Sequence, residues 1–149
     1  LNATNIIKVP KYSATFDKNS NPHKDLSIAM KKAKVSKKTI LLIIGGNWCK
    51  WCGEFDNTLE NNNYKLAKEL YSSFEVVRVY YGNGTSKEGQ SLLKQFPKIP
   101  GTPHFYLLDS KAKLLASVKS TSMERGYGYN ARKVEAFIQK YKNKYKSTK

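Results

Sequence analysis

The sequence predicts an α/β domain, a mixed sheet with helices on both faces. Three observations carry that expectation. Ile40-Leu41-Leu42-Ile43-Ile44 is apolar at every position, as a central strand covered on both sides must be. Stretches with helical spacing lie before it, after it and again further on, so strands alternate with helices. Near the C-terminus two strands are joined by a short turn, which adds antiparallel pairing to the sheet.

Residues 1–22 form a polar extension broken by Pro10 and Pro22, in which Tyr12 to Phe16 alternates like a short edge strand. The domain proper is expected over 23–145, with a frayed basic tail at 146–149. Between His23 and Lys38 the spacing turns helical, with Leu26, Ile28, Ala29 and Ala33 on one face. The strand at 39–44 follows almost without a loop. Phe55 and Leu59, four residues apart, continue a helix from Cys49 or Lys50. Asn61-Asn62-Asn63 should break it, with a second helical stretch over 64–72. Val76, Val77 and Val79 mark a second buried strand ended by Gly82-Asn83-Gly84. Residues 86–96 are amphipathic, with Leu92, Leu93 and Phe96 facing inwards. After Pro97, Pro100, Gly101 and Pro103 come a third strand at 105–108, a turn at 109–112 and a fourth strand at 113–118. A connector, Gly126-Tyr127-Gly128-Tyr129, precedes a last helix that turns Val134, Phe137, Ile138 and Tyr141 inwards. No internal repeat is present.

At 149 residues the chain can bury a core of its own. No run reaches the ~18 apolar residues of a membrane span. The net charge of +16 resembles a nucleic-acid signal until it is located along the chain. Residues 1–38 hold nine lysines against Asp17 and Asp25, and residues 111–149 hold eleven basic residues against Glu124 and Glu135. Residues 39–110 balance seven basic with seven acidic. Only Arg78, Arg125 and Arg132 are arginine, the residue that base readout favours. The flanks therefore read as a solvated lysine surface, with no specific nucleic-acid partner and at most weak contact with an anionic surface.

Both cysteines lie in Trp48-Cys49-Lys50-Trp51-Cys52, at the junction between the first strand and the helix after it. A helix start offers unpaired N–H groups and a positive dipole end, which favour thiolate over thiol. Zinc needs four ligands, and beyond the cysteines only His23 and His104 remain as histidines. A structural disulfide closing so short a loop would add little stability.

Cys49-x-x-Cys52 after a hydrophobic strand, with Trp48 before it and Gly101-Thr102-Pro103 opening the last pair of strands, resembles the thioredoxin-like family over residues 24–145. The Trp-Cys-x-Trp-Cys form looks most like small exported bacterial thiol:disulfide oxidoreductases. The resemblance implies a cis bond at the proline matching Pro103, which faces the dithiol, and pairing of the Thr102 backbone with substrate. Two departures stand out. Ile43 occupies the place where many members carry a buried acid, which leaves Glu54 or water to take the Cys52 proton. Lys50 and Trp51 replace the family's common Gly-Pro.

Exchange needs a thiolate attacker and a second thiol to release the mixed disulfide. Cys49 is the expected nucleophile and Cys52 the resolving thiol. Lys50 adds a cation that would tune the first sulfur, unless it points to water. Trp48, Trp51, Thr102 and Pro103 are the candidate substrate contacts, with Trp51 expected to be the exposed one and Trp48 either a platform or a packed aromatic. The expected partners are protein disulfides and a second redox protein, with no cofactor. The start at Leu1 reads as a processed form or fragment, and with the resemblance it predicts an exported, periplasmic protein. Reduction or isomerisation is the expected direction. The alternatives are a metal-binding module of Cys49, Cys52 and His104, and a polycationic binding protein.

Overall fold

Strand β1 (Thr39–Gly45) is buried at all seven residues, and its two faces feed two separate cores. The computed structural model describes residues 7–142. Leu41 and Ile43 enter one core, and Ile40, Leu42 and Ile44 enter the other, as a strand's period of two dictates. Strands β2 (Phe74–Tyr80), β3 (His104–Leu108) and β4 (Leu114–Lys119) complete a sheet of order β2-β1-β3-β4. β2 is parallel to β1, whereas β3 and β4 join antiparallel. The expected mixed sheet is present.

Two helices cover each face. Helix α1 (Lys11–Ala14) lies against β2 instead. On one face lie α2 (Pro22–Ser36) and α4 (Lys87–Leu93), which bury Leu26, Ala29, Ala33 and Leu92. Ile28, expected on that buried face, is exposed. On the other lie α3 (Lys50–Ser73) and α5 (Ala131–Tyr141), which bury Phe55, Leu59, Leu70, Val134, Phe137 and Ile138. Asn21 caps α2 ahead of Pro22, and Asn130 caps α5. The expected break in α3 is real: Asn62, Asn63 and Tyr64 take φ of 54°, 57° and 61°. Asparagine tolerates that left-handed region better than most residues. α4 is shorter than 86–96, with Ser86 as its cap.

No edge strand forms at 12–16, whose first three residues lie in helix α1. Ser13 Oγ donates to the Val76 carbonyl on β2 at 2.6 Å. The Ser13 carbonyl accepts from Arg78 Nε at 2.9 Å and Tyr71 Oη at 3.1 Å. Side chains therefore satisfy this segment's polar groups where ladder bonds were expected. The expected connector at 126–129 belongs to a small antiparallel hairpin, β5 (Glu124–Arg125) and β6 (Gly128–Tyr129). The tail at 146–149 lies outside the described residues.

Candidate active site

Cys49 sits at the N-cap of α3, between the end of β1 and the first helical turn. Its sulfur is where the cap position needs an acceptor. The Cys52 backbone N–H donates to Cys49 Sγ at 3.1 Å, and Thr102 Oγ1 donates to it at 3.2 Å. Both donors stand where they would stabilise negative charge on that sulfur. The Thr102–Pro103 peptide is cis, and Pro103 is buried beside the start of β3.

Both cysteines are free thiols, 6% and 4% exposed. Burial pushes the Cys52 thiol up to about 12, helped by its hydrogen bond to Cys49 and by the charge of Asp56. Folding thus holds on this thiol a proton that the unfolded chain releases near its ordinary value of 9.0. The resulting stabilisation is complete below about pH 9 and is lost as pH rises towards about 12. The reduced protein is expected to lose more stability across that window than Cys52→Ala, by denaturant titration at each pH. Equal losses would show that the thiol is not held protonated.

Trp51, expected to be exposed, is not, and Trp48, which could have been either a platform or a packed aromatic, is the exposed one. Trp51 is half-buried, edge-on to Tyr129 with ring centroids 5.7 Å apart, because the β5–β6 hairpin closes over the first turn of α3. Trp48 is 56% exposed. Its Nε1 donates to the Tyr81 carbonyl at 3.1 Å, and its indole lies against Gly46 and Gly82, where a Cβ would strike it. Trp48 also borders an open groove of ≈ 770 Å³ lined by Tyr81, Leu93, Phe96 and Ile99. Lys50 is exposed, where water screens its charge.

His104 does not join the cysteines. Its Nε2 pairs with Ser117 Oγ on β4 at 2.8 Å, and burial holds its pKa below the ordinary value. Among the described residues no group of three His, Cys, Asp or Glu is placed to hold a metal ion.

A thioredoxin-like family profile matches residues 21–110, more than half of the chain. The chain belongs to the thioredoxin-like family. No curated protein matches it. Among solved structures, a disulphide isomerase from Xylella fastidiosa Temecula1 superposes with a TM-score of 0.71 at 24% identity, covering 84% of this chain and 94% of its own. The oxidised C-terminal domain of DsbD from Neisseria meningitidis superposes at 0.55 with 18% identity, covering 85% and 98%. At these identities the likeness is one of fold. The family, the fold and the Cys49–Cys52 pair together support thiol–disulfide exchange.

In this thioredoxin-like chain the place of the missing acid is informative. Ile43 pairs in register with Arg78 on β2, and Arg78 is buried. Its Nη2 and Nη1 reach the two carboxylate oxygens of Asp56 at 2.8 and 3.2 Å, and Nη2 also donates to Tyr71 Oη at 3.1 Å. Burial opposes this charge, but Asp56 and Tyr71 outweigh it and hold the guanidinium above its ordinary value. Phe16 completes the wall: Arg78 lies 5.2 Å over its ring, and a Cβ on Gly45 would meet both Phe16 and Cys52 Sγ. Sequence reasoning missed Phe16, Gly45, Asp56, Arg78 and Tyr129. A lone arginine amid the valines of β2 was the available signal.

Proposed function

We propose that the protein exchanges disulfides with protein substrates as a reductase or isomerase, with Cys49 as nucleophile and Cys52 as resolving thiol. The observation that carries this reading is the asymmetry of the pair. Cys49 Sγ receives two hydrogen bonds at a helix N-cap, whereas Cys52 is buried and pushed up to about 12. A buried Cys52 thiolate is poorly stabilised, which disfavours the dithiol and makes the pair more reducing, while the hydrogen bonds on Cys49 Sγ act in the opposite sense. The structural neighbour described as a disulphide isomerase supports the same direction. Thr102 and Pro103 are the substrate wall opposite Cys49, and Trp48 and Trp51 are further contacts. Lys50 is a minor influence on the first sulfur, because it is exposed.

The setting proposed is the periplasm, with a separate redox protein restoring the dithiol. A dithiol in a chain with no other cysteine suits a compartment where disulfides form. No helix among the described residues is long and apolar enough to cross a membrane. Equilibration of the Cys49–Cys52 pair with glutathione tests the direction. The expected potential lies between about −270 and about −180 mV, the range of reductases and isomerases. A value near about −120 mV, that of a strong oxidant, overturns it.

A further inference from the structure

The resolving step poses a problem that the site must solve. Cys52 has to lose its proton before its sulfur can attack, yet it is buried and no carboxylate stands at Ile43. From this structure we infer that Asp56 is the proton acceptor for Cys52, and that Arg78 is the positioning residue that holds its carboxylate in place beside the dithiol. The inference rests on the exchange reading above.

Geometry supports each part. Asp56 follows Cys52 by four residues on α3, which sets the two side chains on one face of the helix, with Cβ atoms ~5–6 Å apart. Arg78 grips both carboxylate oxygens, and each oxygen keeps a further lone pair for a water or a thiol. The Arg78 side chain is 3% exposed and that of Asp56 35%, so the base reaches water while its clamp does not. Phe16 links the clamp to the thiol, touching the space beside Cys52 Sγ and lying under Arg78. The ion pair thus stands one strand away from Ile43, on the same face of the sheet. The other titratable groups facing this region are Cys49, Tyr71 from the second half of α3, and Tyr129 from the hairpin.

The step balances. In the mixed disulfide, Cys49 Sγ is bonded to a substrate sulfur and Cys52 is a thiol. The Cys52 proton passes, directly or through one water, to Asp56 as Cys52 Sγ attacks Cys49 Sγ. The Cys49–Cys52 bond forms and the bond to substrate breaks. Its electron pair leaves on the substrate sulfur, which takes up a proton. The dithiol is oxidised by two electrons and the substrate disulfide is reduced.

Asp56→Asn separates this role from a purely electrostatic one, because the two predict opposite signs. The charge of Asp56 raises the Cys52 thiol, so removing it eases ionisation and should speed resolution if charge were all that mattered. Loss of a proton acceptor should instead slow resolution about 10²-fold, the low end of what a positioned base supplies. The measurement is rapid mixing of the reduced protein with a peptide disulfide, following first the mixed disulfide and then its decay by acid quench and mass spectrometry. We expect mixed-disulfide formation at the wild-type rate, decay slowed about 10²-fold, and recovery in Asp56→Glu. Decay as fast as wild type or faster overturns the inference. The double variant Asp56→Asn/Arg78→Met removes both charges, so no buried cation is left unpaired should the single variant fold poorly. It too should resolve slowly, and wild-type decay in it overturns the role. Failure of the wild-type protein to form any mixed disulfide would instead sink the exchange reading itself.

Discussion

Cys49→Ser is expected to abolish reduction of insulin disulfides, leaving only the rate of dithiothreitol alone. Serine preserves the local structure, since its oxygen can accept from the Cys52 N–H and the Thr102 hydroxyl as the sulfur does. It removes the chemistry, because the nucleophile is a thiolate and a hydroxyl forms no disulfide. Cys52→Ser should behave differently. It keeps the attacking sulfur but lacks the resolving one, so substrate should accumulate as a mixed disulfide on Cys49. Non-reducing electrophoresis and mass spectrometry read that adduct directly. Turnover by Cys49→Ser at the wild-type rate would remove the proposed enzyme, and the absence of any adduct on Cys49 in Cys52→Ser would remove the assigned order of attack.

Gly45→Ala should have the second large effect. Gly45 ends β1, and a Cβ there would come within 2.5 Å of Cys52 Sγ and 3.1 Å of Phe16 Cζ. Neither neighbour yields cheaply. Phe16 is buried beneath Arg78, and Cys52 is buried on the first turn of α3. The sulfur has a single torsion, so relief means turning it to another rotamer, away from Cys49. Overpacking of this kind costs about 1–3 kcal/mol. The denaturant midpoint should therefore fall at unchanged slope, and insulin reduction should fall with it. A midpoint within about 0.5 kcal/mol of wild type, with unchanged turnover, would show that the end of β1 relaxes around the methyl group.

The strands were legible wherever burial on both faces left a local mark. β1 announces itself as an apolar run and β2 and β3 by their apolar residues, because a strand between two layers has no wet side. The break at Asn61 to Asn63 was legible for a backbone reason, since asparagine enters the left-handed region readily. Residues 12–16 misled. The alternation of Tyr12, Ala14 and Phe16 suits an edge strand, but the Ser13 carbonyl is satisfied by Arg78 and Tyr71, and the Ser13 hydroxyl in turn donates to the Val76 carbonyl of β2. Trp51 misled in the same way. Its cover is Tyr129, and nothing near the cysteines in the chain indicates a hairpin that arrives more than seventy residues later.

Two cysteines at the start of a helix can be read from the order of residues alone, because helix spacing is local, whereas the acid missing at Ile43 and the part of Thr102-Pro103 come from the resemblance to the family. They point to the proposed chemistry and to the two sulfurs proposed to carry it. Which tryptophan faces water, why residue 45 is glycine and where a proton could go are questions of another kind. Their answers depend on which strands lie side by side. Arg78 meets Asp56 only because β2 pairs parallel to β1 while α3 crosses the same face. A contact between residues 22 apart, enforced by layers, leaves no periodicity along the chain.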